Sequence, residues 1–84
     1  MEKPFTNKII VITGATRGIG LACAMRLQKE GAIICAIQRG NSKLFDSFEC
    51  DLSKEQDCSK SIDAIIKKYG HIDVLINNAG MMKE

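Results

Sequence analysis

A glycine-rich turn between an aliphatic run and a helical pattern most constrains the fold of this 84-residue chain. The run Lys8–Thr13 (K-I-I-V-I-T) has no polar alternation, which is typical of a strand buried on both faces of a parallel sheet. The next segment, Gly14–Gly20, reads G-A-T-R-G-I-G, and an apolar helical pattern continues from it to Glu30. A strand that turns directly into a helix predicts the start of an α/β fold.

Three further apolar segments are predicted to be strands. They are a second buried strand over Ala32–Gln38, a weaker third strand within Phe45–Asp51 with Phe48 and Cys50 inward, and a fourth over Ile72–Ile76. Parallel strands are usually joined by a helix, but the polar stretch before the third strand is too short for a full one. We expect a turn or an abbreviated helix there.

Two helices are predicted between these strands. The first begins in the glycine turn, near Arg17 or Gly18, and its periodicity predicts a buried face made of Ile19, Ala22, Cys23 and Leu27. The second is predicted to begin at Ser53 through a capping box with Gln56 and to end at Gly70. Its apolar stripe at helical spacing consists of Cys58, Ile62, Ile65, Ile66 and Tyr69.

The order strand, helix, strand, strand, helix, strand predicts an α/β fold with a parallel sheet. Right-handed crossovers favour a Rossmann-type half with strand order 3-2-1-4 and flanking helices. We expect residues 1–84 to form one incomplete nucleotide-binding domain. The carboxyl ends of all strands lie on one edge of such a sheet, where ligands bind. The segments predicted to meet there are Gly14–Gly20, Arg39, Asp51 and Asn77–Gly80.

Composition excludes several classes of function. The net charge is +2 with mixed signs along the chain and there is no Trp, so nothing predicts a nucleic-acid groove. The longest aliphatic run, Ile9–Ile12, is far shorter than the ~20 residues of a membrane span. The N-terminus has no apolar signal core, and the cysteines form no C-x-x-C pair beside the single His71. We therefore expect no metal, a reducing cytoplasmic location, and four structural cysteines buried in helices or strands: Cys23, Cys35, Cys50 and Cys58.

The glycine turn also predicts a ligand. Gly14 supplies backbone freedom, Gly18 lets the chain approach a ligand without a Cβ, and Gly20 lets the helix pack on the sheet. The N-terminus of the helix offers unpaired N–H groups to a pyrophosphate. The spacing G-x3-G-x-G is neither the standard dinucleotide fingerprint nor a Walker A loop. From the turn alone, a purely structural role remains open.

The end of the second strand bears on the choice of nucleotide. An acid at that place usually holds a ribose 2′-hydroxyl, whereas an arginine accommodates a 2′-phosphate. The chain has Gln38 and Arg39 there, and a second cation, Arg17, lies inside the glycine turn. Two guanidinium groups favour a phosphorylated ribose, and hence NADP(H) over NAD(H). The alternative is two solvated arginines.

Two polar segments leave their roles open. Asp51 is a candidate to accept a hydrogen bond from an adenine amino group, with Leu52 against the ring, or to cap the helix that follows. Asn77 and Asn78 are candidates to tie strand ends together and to touch a ribose. A generic turn is the alternative for the segment Asn77–Gly80 (N-N-A-G).

The segments T-G-x3-G-x-G, Asp51–Leu52 and N-N-A-G together resemble the classical short-chain dehydrogenase/reductases, from Lys8 to the C-terminus. The resemblance implies that the glycine turn binds the pyrophosphate and the adenosine ribose. It also implies that Asp51 and Leu52 hold the adenine, and that Arg17 and Arg39 occupy the positions of NADP-preferring members. The candidate cofactor-binding residues are Gly14, Ala15, Thr16, Arg17, Gly18, Ile19, Gly20, Arg39, Asp51, Leu52, Asn78, Ala79 and Gly80.

The resemblance implies the cofactor-binding portion of an NADP(H)-dependent oxidoreductase. When complete, it is expected to be homo-oligomeric and to reduce a small carbonyl compound or a 3-oxoacyl thioester. The short connection after Arg39 looks most like members that reduce 3-oxoacyl thioesters.

The family's Tyr-x-x-x-Lys pair, with its assisting Ser and Asn, lies downstream of N-N-A-G, and Tyr69 has no Lys four places on. Tyr69 is predicted to be a core residue, so no catalytic residue is assigned. A truncated nucleotide-binding or interaction module and a non-functional gene fragment remain alternatives. The apolar strand Ile72–Ile76 at an open edge predicts aggregation of these 84 residues alone.

Overall fold

The computed structural model describes residues 3–40 and 42–78, which form one four-stranded parallel sheet and two helices. The strand order is β3-β2-β1-β4, as the sequence predicted, and this is a Rossmann-type arrangement. In chain order the elements are β1 (Ile9–Thr13), α1 (Gly18–Lys29), β2 (Ile33–Gln38), β3 (Asp46–Glu49), α2 (Glu55–Tyr69) and β4 (Val74–Ile76).

The two central strands explain the uninterrupted apolar runs. β1 pairs with both β2 and β4, so both of its edges are hydrogen-bonded, and Ile9 to Ile12 are all buried. Side chains alternate between the faces of a strand. Ile10 and Ile12 therefore pack in a cluster on the α1 side, while Ile9 and Val11 pack with Ile65 on the α2 side. Two hydrophobic layers thus hold the sheet between the helices.

The predicted buried face of α1 is wrong for three of its four residues. The residues that turn toward the sheet are Gly20, Ala24 and, in part, Leu21 and Leu27. The spacing of Gly20, Ala24 and Leu27 is still helical, but small residues occupy the face because the glycine turn brings the helix close to the sheet. Three residues assigned to that face are exposed instead: Ile19, Ala22 and Cys23.

The predicted N-cap of α2 is also wrong. The N-cap residue is Lys54, and no side-chain hydrogen bond caps this end. The Ser53 hydroxyl instead donates to Asp51 Oδ1 at 2.7 Å, and the Ser53 amide donates to the same oxygen at 3.0 Å. Ser53 thus belongs to a local turn with Asp51 before the helix begins and does not cap it. The prediction for the C-terminus is confirmed: Gly70 adopts the left-handed conformation at φ 89°.

The apolar stripe of α2 is confirmed in most of its length. Ile65 is buried, and four residues around it are partly buried against the core: Cys58, Ile62, Tyr69 and the following Ile72. Ile66 was assigned to the same stripe but is exposed. The buried stripe is narrower than the periodicity predicted, because only one face of α2 packs on the sheet.

The described part of the β2–β3 connection forms bends and no helix, as the shortness of this segment predicted. The Ser42 amide donates to Ser47 Oγ at 2.8 Å, and the Leu44 amide donates to Ser42 Oγ at 3.0 Å. Phe45 is buried in the α1-side cluster and anchors the end of the connection. Asn41 lies outside the described residues.

β4 lies at one end of the sheet and exposes two large apolar side chains, Val74 and Leu75. Asp73 attaches this strand to β1. Its amide donates to the Ile9 carbonyl at 2.9 Å, and its Oδ2 accepts from the Ile9 amide at 2.8 Å. The exposed apolar edge agrees with the sequence prediction for Ile72–Ile76.

The prediction that all four cysteines are buried is wrong for one of them. Cys23 lies on the outer face of α1 and is exposed, whereas Cys35 and Cys50 are buried and Cys58 is partly buried. All four are free thiols. The exposure of Cys23 follows from the rotation of α1 described above.

Candidate functional site

The turn between β1 and α1 forms the centre of the carboxyl edge. Gly14 and Gly18 have φ values of 70° and 61°, a conformation that side chains disfavour. The Gly14 amide donates to the Ile37 carbonyl at 3.0 Å, which fixes the turn against the end of β2. A Cβ built on Gly18 meets nothing within 4 Å, so this part of the turn is open to a ligand.

The N-terminus of α1 faces the same edge. Its N-cap residue is Arg17, whose backbone is extended and whose side chain makes no capping bond. The first turn of the helix contains no acidic residue. The first N–H groups of a helix lack intrahelical partners and carry a positive partial charge. This end is therefore suited to a pyrophosphate.

Asn78 joins the turn to the end of β4. Its Nδ2 donates to the Gly14 carbonyl oxygen at 2.9 Å, and its side chain is buried. Next to it, the Thr13 hydroxyl donates to Asn77 Oδ1 at 3.1 Å. The prediction that the two asparagines tie strand ends together is confirmed. Ala79 and Gly80, the other predicted residues of this segment, lie outside the described residues.

Gly20 is required by packing. A Cβ at this position would lie 2.5 Å from the Gly14 carbonyl oxygen and would also meet the Asn78 amide group. The sequence interpretation, that this glycine allows close approach of the helix, is therefore confirmed by geometry. The absence of a side chain at Gly20 thus sets the position of the turn.

The remaining residues of the turn divide between the core and the surface. Ala15 is buried in the α1-side cluster, so its side chain packs on the sheet and only its backbone is available to a ligand. Thr16, Arg17 and Ile19 are exposed. A cofactor at this edge would meet exposed side chains on one side of the turn and backbone N–H groups on the other.

Arg39 and Asp51 form an ion pair that sequence reasoning missed. Arg39 Nη2 lies 3.0 Å from Asp51 Oδ1, and the Arg39 side chain is 76% exposed. Hydrogen bonds from Ser53, followed by the bond from Arg39, lower the pKa of Asp51 to about 2. The structure thus pairs the predicted 2′-phosphate ligand with the predicted adenine ligand. The sequence signal that could have predicted this pair is that Arg39 comes after β2 and Asp51 comes after β3, which are adjacent parallel strands.

The buried side-chain amide of Gln38 is a second feature that was not predicted from the sequence. It ends β2, directly before Arg39, and its side chain is buried. Neither Nε2 nor Oε1 has a hydrogen-bond partner among the residues that the structure describes. Unpaired buried amides are rare and costly. An orphaned amide beside the open turn fits a site that takes a polar ligand.

Leu52, the other predicted adenine contact, is partly buried and packs against the α2-side cluster. At the same edge, Gly18 leaves the backbone open to a ligand and the N-terminus of α1 offers unpaired N–H groups. These residues fit an adenine dinucleotide. In residues 3–40 and 42–78, no group of three or more His, Cys, Asp or Glu side chains is arranged to hold a metal ion.

Tyr69 lies away from this edge. Its hydroxyl donates to Asp46 Oδ2 at 2.6 Å, and Lys68 Nζ lies 2.7 Å from the same oxygen. Asp46 begins β3, at the amino edge of the sheet. The bond to Asp46 raises the pKa of Tyr69 above its ordinary value. Tyr69 packs against the α2-side cluster, as the prediction of a core residue required.

The sequence profile of the short chain dehydrogenase family matches residues 8–84. The chain therefore belongs to the short-chain dehydrogenase/reductase family. The 3-oxoacyl-[acyl-carrier-protein] reductase MabA of Mycobacterium tuberculosis is 34% identical over 95% of this chain and 33% of its own length. The short-chain dehydrogenase/reductase homolog YusS of Bacillus subtilis is 34% identical over 92% of this chain and 84% of its own length.

Solved structures of the family have the same fold. The ligand-free aldohexose dehydrogenase of Thermoplasma acidophilum superposes with a TM-score of 0.81 at 36% identity, over 92% of this chain and 31% of that one. The NADH-dependent reductase A1-R′, in complex with NAD, has a TM-score of 0.79 at 30% identity, over 87% of this chain and 36% of that one. Members of this family bind a nicotinamide dinucleotide.

The chain spans about a third of several relatives: 38% of farnesol dehydrogenase of Aedes aegypti and 33% of MabA. The part it shares with them is the part that contains the glycine turn. Among the described residues, no helix is both long and apolar enough to cross a membrane.

Proposed function

We propose that this chain is the NADP(H)-binding portion of a short-chain oxidoreductase that reduces a carbonyl compound or a 3-oxoacyl thioester. The observation that carries the proposal is the carboxyl edge, where the open glycine turn, the N-terminus of α1 and Arg39 stand together. The bound nicotinamide supplies the hydride that reduces the carbonyl carbon.

In the proposed site the backbone N–H groups of Gly14–Gly20 hold the pyrophosphate, and Gly18 allows its close approach. Asp51 accepts a hydrogen bond from the adenine amino group, and Leu52 packs against the ring. Asn78 holds the turn in place through Gly14 and, with Ala79 and Gly80, borders the cofactor. In the complete protein, a Tyr-x-x-x-Lys pair beyond this segment supplies the proton, as in the family that the chain resembles.

The preference for NADP(H) rests on the guanidinium groups. Arg39 uses one nitrogen for Asp51, and a guanidinium has five N–H donors, so others remain for a 2′-phosphate. Asp51 Oδ1 already accepts from the Ser53 hydroxyl and amide. These bonds and the contact with Arg39 all fall on Oδ1, so Oδ2 is the oxygen that we assign to the adenine amino group. Arg17, exposed in the glycine turn, adds a second cation.

Two observations support the class of substrate. The β2–β3 connection is short, a feature that the sequence shares with reductases of 3-oxoacyl thioesters. MabA, whose name states that activity on acyl-carrier-protein substrates, is 34% identical to this chain. We further propose a homo-oligomer in the cytoplasm, which size-exclusion chromatography with light scattering and cell fractionation would test.

Titration of the complete protein with NADPH and with NADH tests the choice of cofactor. We expect NADPH to bind at least about tenfold more tightly, which is ~1.4 kcal/mol. Arg39→Asp should remove this preference, because the new carboxylate repels the 2′-phosphate. Arg26→Asp is the matched control, since Arg26 lies near the C-terminal end of α1 and pairs with Glu30. Equal affinities in the parent protein, or an unchanged preference in Arg39→Asp, would refute the assignment.

A non-catalytic nucleotide-binding or interaction module is the second candidate. YusS favours it, because this chain covers 84% of that short relative. The coding sequence that follows Glu84 discriminates between the two candidates: an open frame with Tyr-x-x-x-Lys supports the enzyme. A stop codon together with measurable nucleotide binding supports the module, and a stop codon with no binding supports a non-functional gene fragment.

A further inference from the structure

Two thiols lie against each other beside the proposed adenine contacts. Cys50 directly follows β3, Cys58 lies in the first turns of α2, and their Sγ atoms are 3.6 Å apart. Cys50 is buried and Cys58 is partly buried. The distance is that of a thiol contact, and a disulfide would bring the sulfurs to about 2 Å.

The other two cysteines are placed differently. Cys23 is exposed on the outer face of α1, and Cys35 is buried in the middle of β2. Among the described residues, only Cys50 and Cys58 have their sulfurs in contact. The chain therefore contains one pair positioned for an intramolecular bond, and Cys35 is a buried thiol outside that pair.

The two thiols differ in access. Burial, followed by the neighbouring Cys58, raises the pKa of the Cys50 thiol to about 11. Thiolate is the reactive form of cysteine, so Cys50 is a poor first nucleophile. Cys58 is the more accessible of the two and meets a dissolved oxidant first. Cys50 then lies within contact distance to complete the bond.

Closing the bond would move the segment between them. The Cys50 amide donates to the Gln38 carbonyl at 2.9 Å, which fixes this end of the sheet. Because this end is held, we expect closure of the bond to draw the first turns of α2 toward β3. Asp51 and Leu52 lie in the connecting segment, and the Asp51 amide already contacts Asp57 Oδ2 of the same helix at 3.4 Å.

We propose that Cys50 and Cys58 form a reversible disulfide that weakens binding of the adenine end of the cofactor. The second half of this proposal rests on the proposed function, since it assigns Asp51 and Leu52 to the adenine. The oxidant is a low-molecular-weight disulfide. The Cys58 thiolate attacks one of its sulfurs, forms a mixed disulfide and releases one small thiol. The Cys50 sulfur then loses its proton, attacks Cys58 Sγ and releases the second small thiol.

The test uses the complete protein in a Cys23→Ser background, which removes the exposed thiol that would cross-link chains. The protein is equilibrated with mixtures of reduced and oxidised glutathione, quenched with an alkylating agent, digested and analysed by mass spectrometry. We expect a peptide pair joined through Cys50 and Cys58, reversed by dithiothreitol. Adding Cys58→Ser should abolish the joined pair, while Cys35 stays reduced in both proteins.

NADPH affinity is then measured for the reduced and oxidised forms. We expect the oxidised form to bind at least threefold more weakly, and the Cys58→Ser protein to show no change with oxidant. Absence of the Cys50–Cys58 peptide, or a disulfide that leaves the affinity unchanged, overturns the proposal. If neither form binds NADPH but the disulfide forms, AMP replaces NADPH as the probe of the adenine end. Lack of AMP binding in the reduced form then overturns both the adenine assignment and the coupling.

Discussion

The side-chain amide of Asn78 donates a hydrogen bond to the carbonyl oxygen of Gly14, 64 residues earlier in the chain, at 2.9 Å. This bond closes the carboxyl edge, because it joins the turn after β1 to the segment after β4. Gly20 lies beside it, where any side chain would meet both partners. The shape of the turn thus depends on one amide and on the absence of one Cβ.

Gly20→Ala should destabilise the protein by about 1–3 kcal/mol, because the added methyl group overpacks a contact with a backbone oxygen. Chemical denaturation measures this as a lower midpoint. Ala22→Ser, on the exposed face of the same helix, is the control and should change stability by less than about 0.5 kcal/mol. A neutral Gly20→Ala would show that the helix can move away without cost.

Asn78→Asp should cost about 1–3 kcal/mol, since a carboxylate cannot donate to the Gly14 carbonyl and is buried there. Asn77→Asp is a matched control with the same change of chemistry. Asn77 accepts a bond from the Thr13 hydroxyl, which a carboxylate also accepts, and Asn77 is exposed. Thermal unfolding of the two variants should therefore differ. Equal losses would contradict the role assigned to the Asn78 amide.

The depressed pKa of Asp51, about 2, makes a prediction for acid pH. Since the pKa is lowered on folding from 3.8, the ionised carboxylate stabilises the folded state above about pH 4. That contribution should disappear as the pH falls from about 4 to 2. Carboxyl chemical shifts in an NMR titration measure the pKa of Asp51 directly. Ser53→Ala should raise the pKa of Asp51, because the bond from the Ser53 hydroxyl is the largest single cause of the shift.

The exposed apolar strand β4 predicts self-association of residues 1–84 when they are expressed alone. Leu75 is 56% exposed on a strand at the end of the sheet. A charged side chain on an edge strand discourages pairing with another chain. Leu75→Lys should therefore reduce the aggregated fraction measured by light scattering, whereas Lys67→Leu on α2 should not reduce it. A parent chain that is soluble and melts cooperatively as a monomer would contradict the prediction.

The strands and their order were predictable because they depend on short-range patterns. Runs such as Ile9–Thr13 are too apolar and too β-branched to face water, and parallel connections of this length have one favoured hand. The glycine turn was predictable for the same reason, since the φ values of Gly14 and Gly18 are demanded locally. These features locate the candidate site at the carboxyl edge.

The rotation of α1 was not predictable from its periodicity. Hydrophobicity placed Ile19 and Cys23 on the buried face, but the contact of Gly20 with Gly14 and Asn78 sets the rotation and buries Ala24 instead. The predicted N-cap of α2 is wrong for a related reason, because the Ser53 hydroxyl donates to Asp51. In both cases a neighbouring contact outweighed a pattern within one element.

Patterns within the sequence were enough to predict a parallel sheet of order 3-2-1-4, with a glycine turn that opens a helix at its carboxyl edge. Three features became visible only in the folded chain: the pair of Arg39 with Asp51, the buried amide of Gln38 without a partner among the described residues, and the contact of Cys50 with Cys58. The physical reason is the range of the interactions. Periodicity and turn chemistry act over a few residues, whereas these contacts exist only after β2, β3 and α2 have packed together.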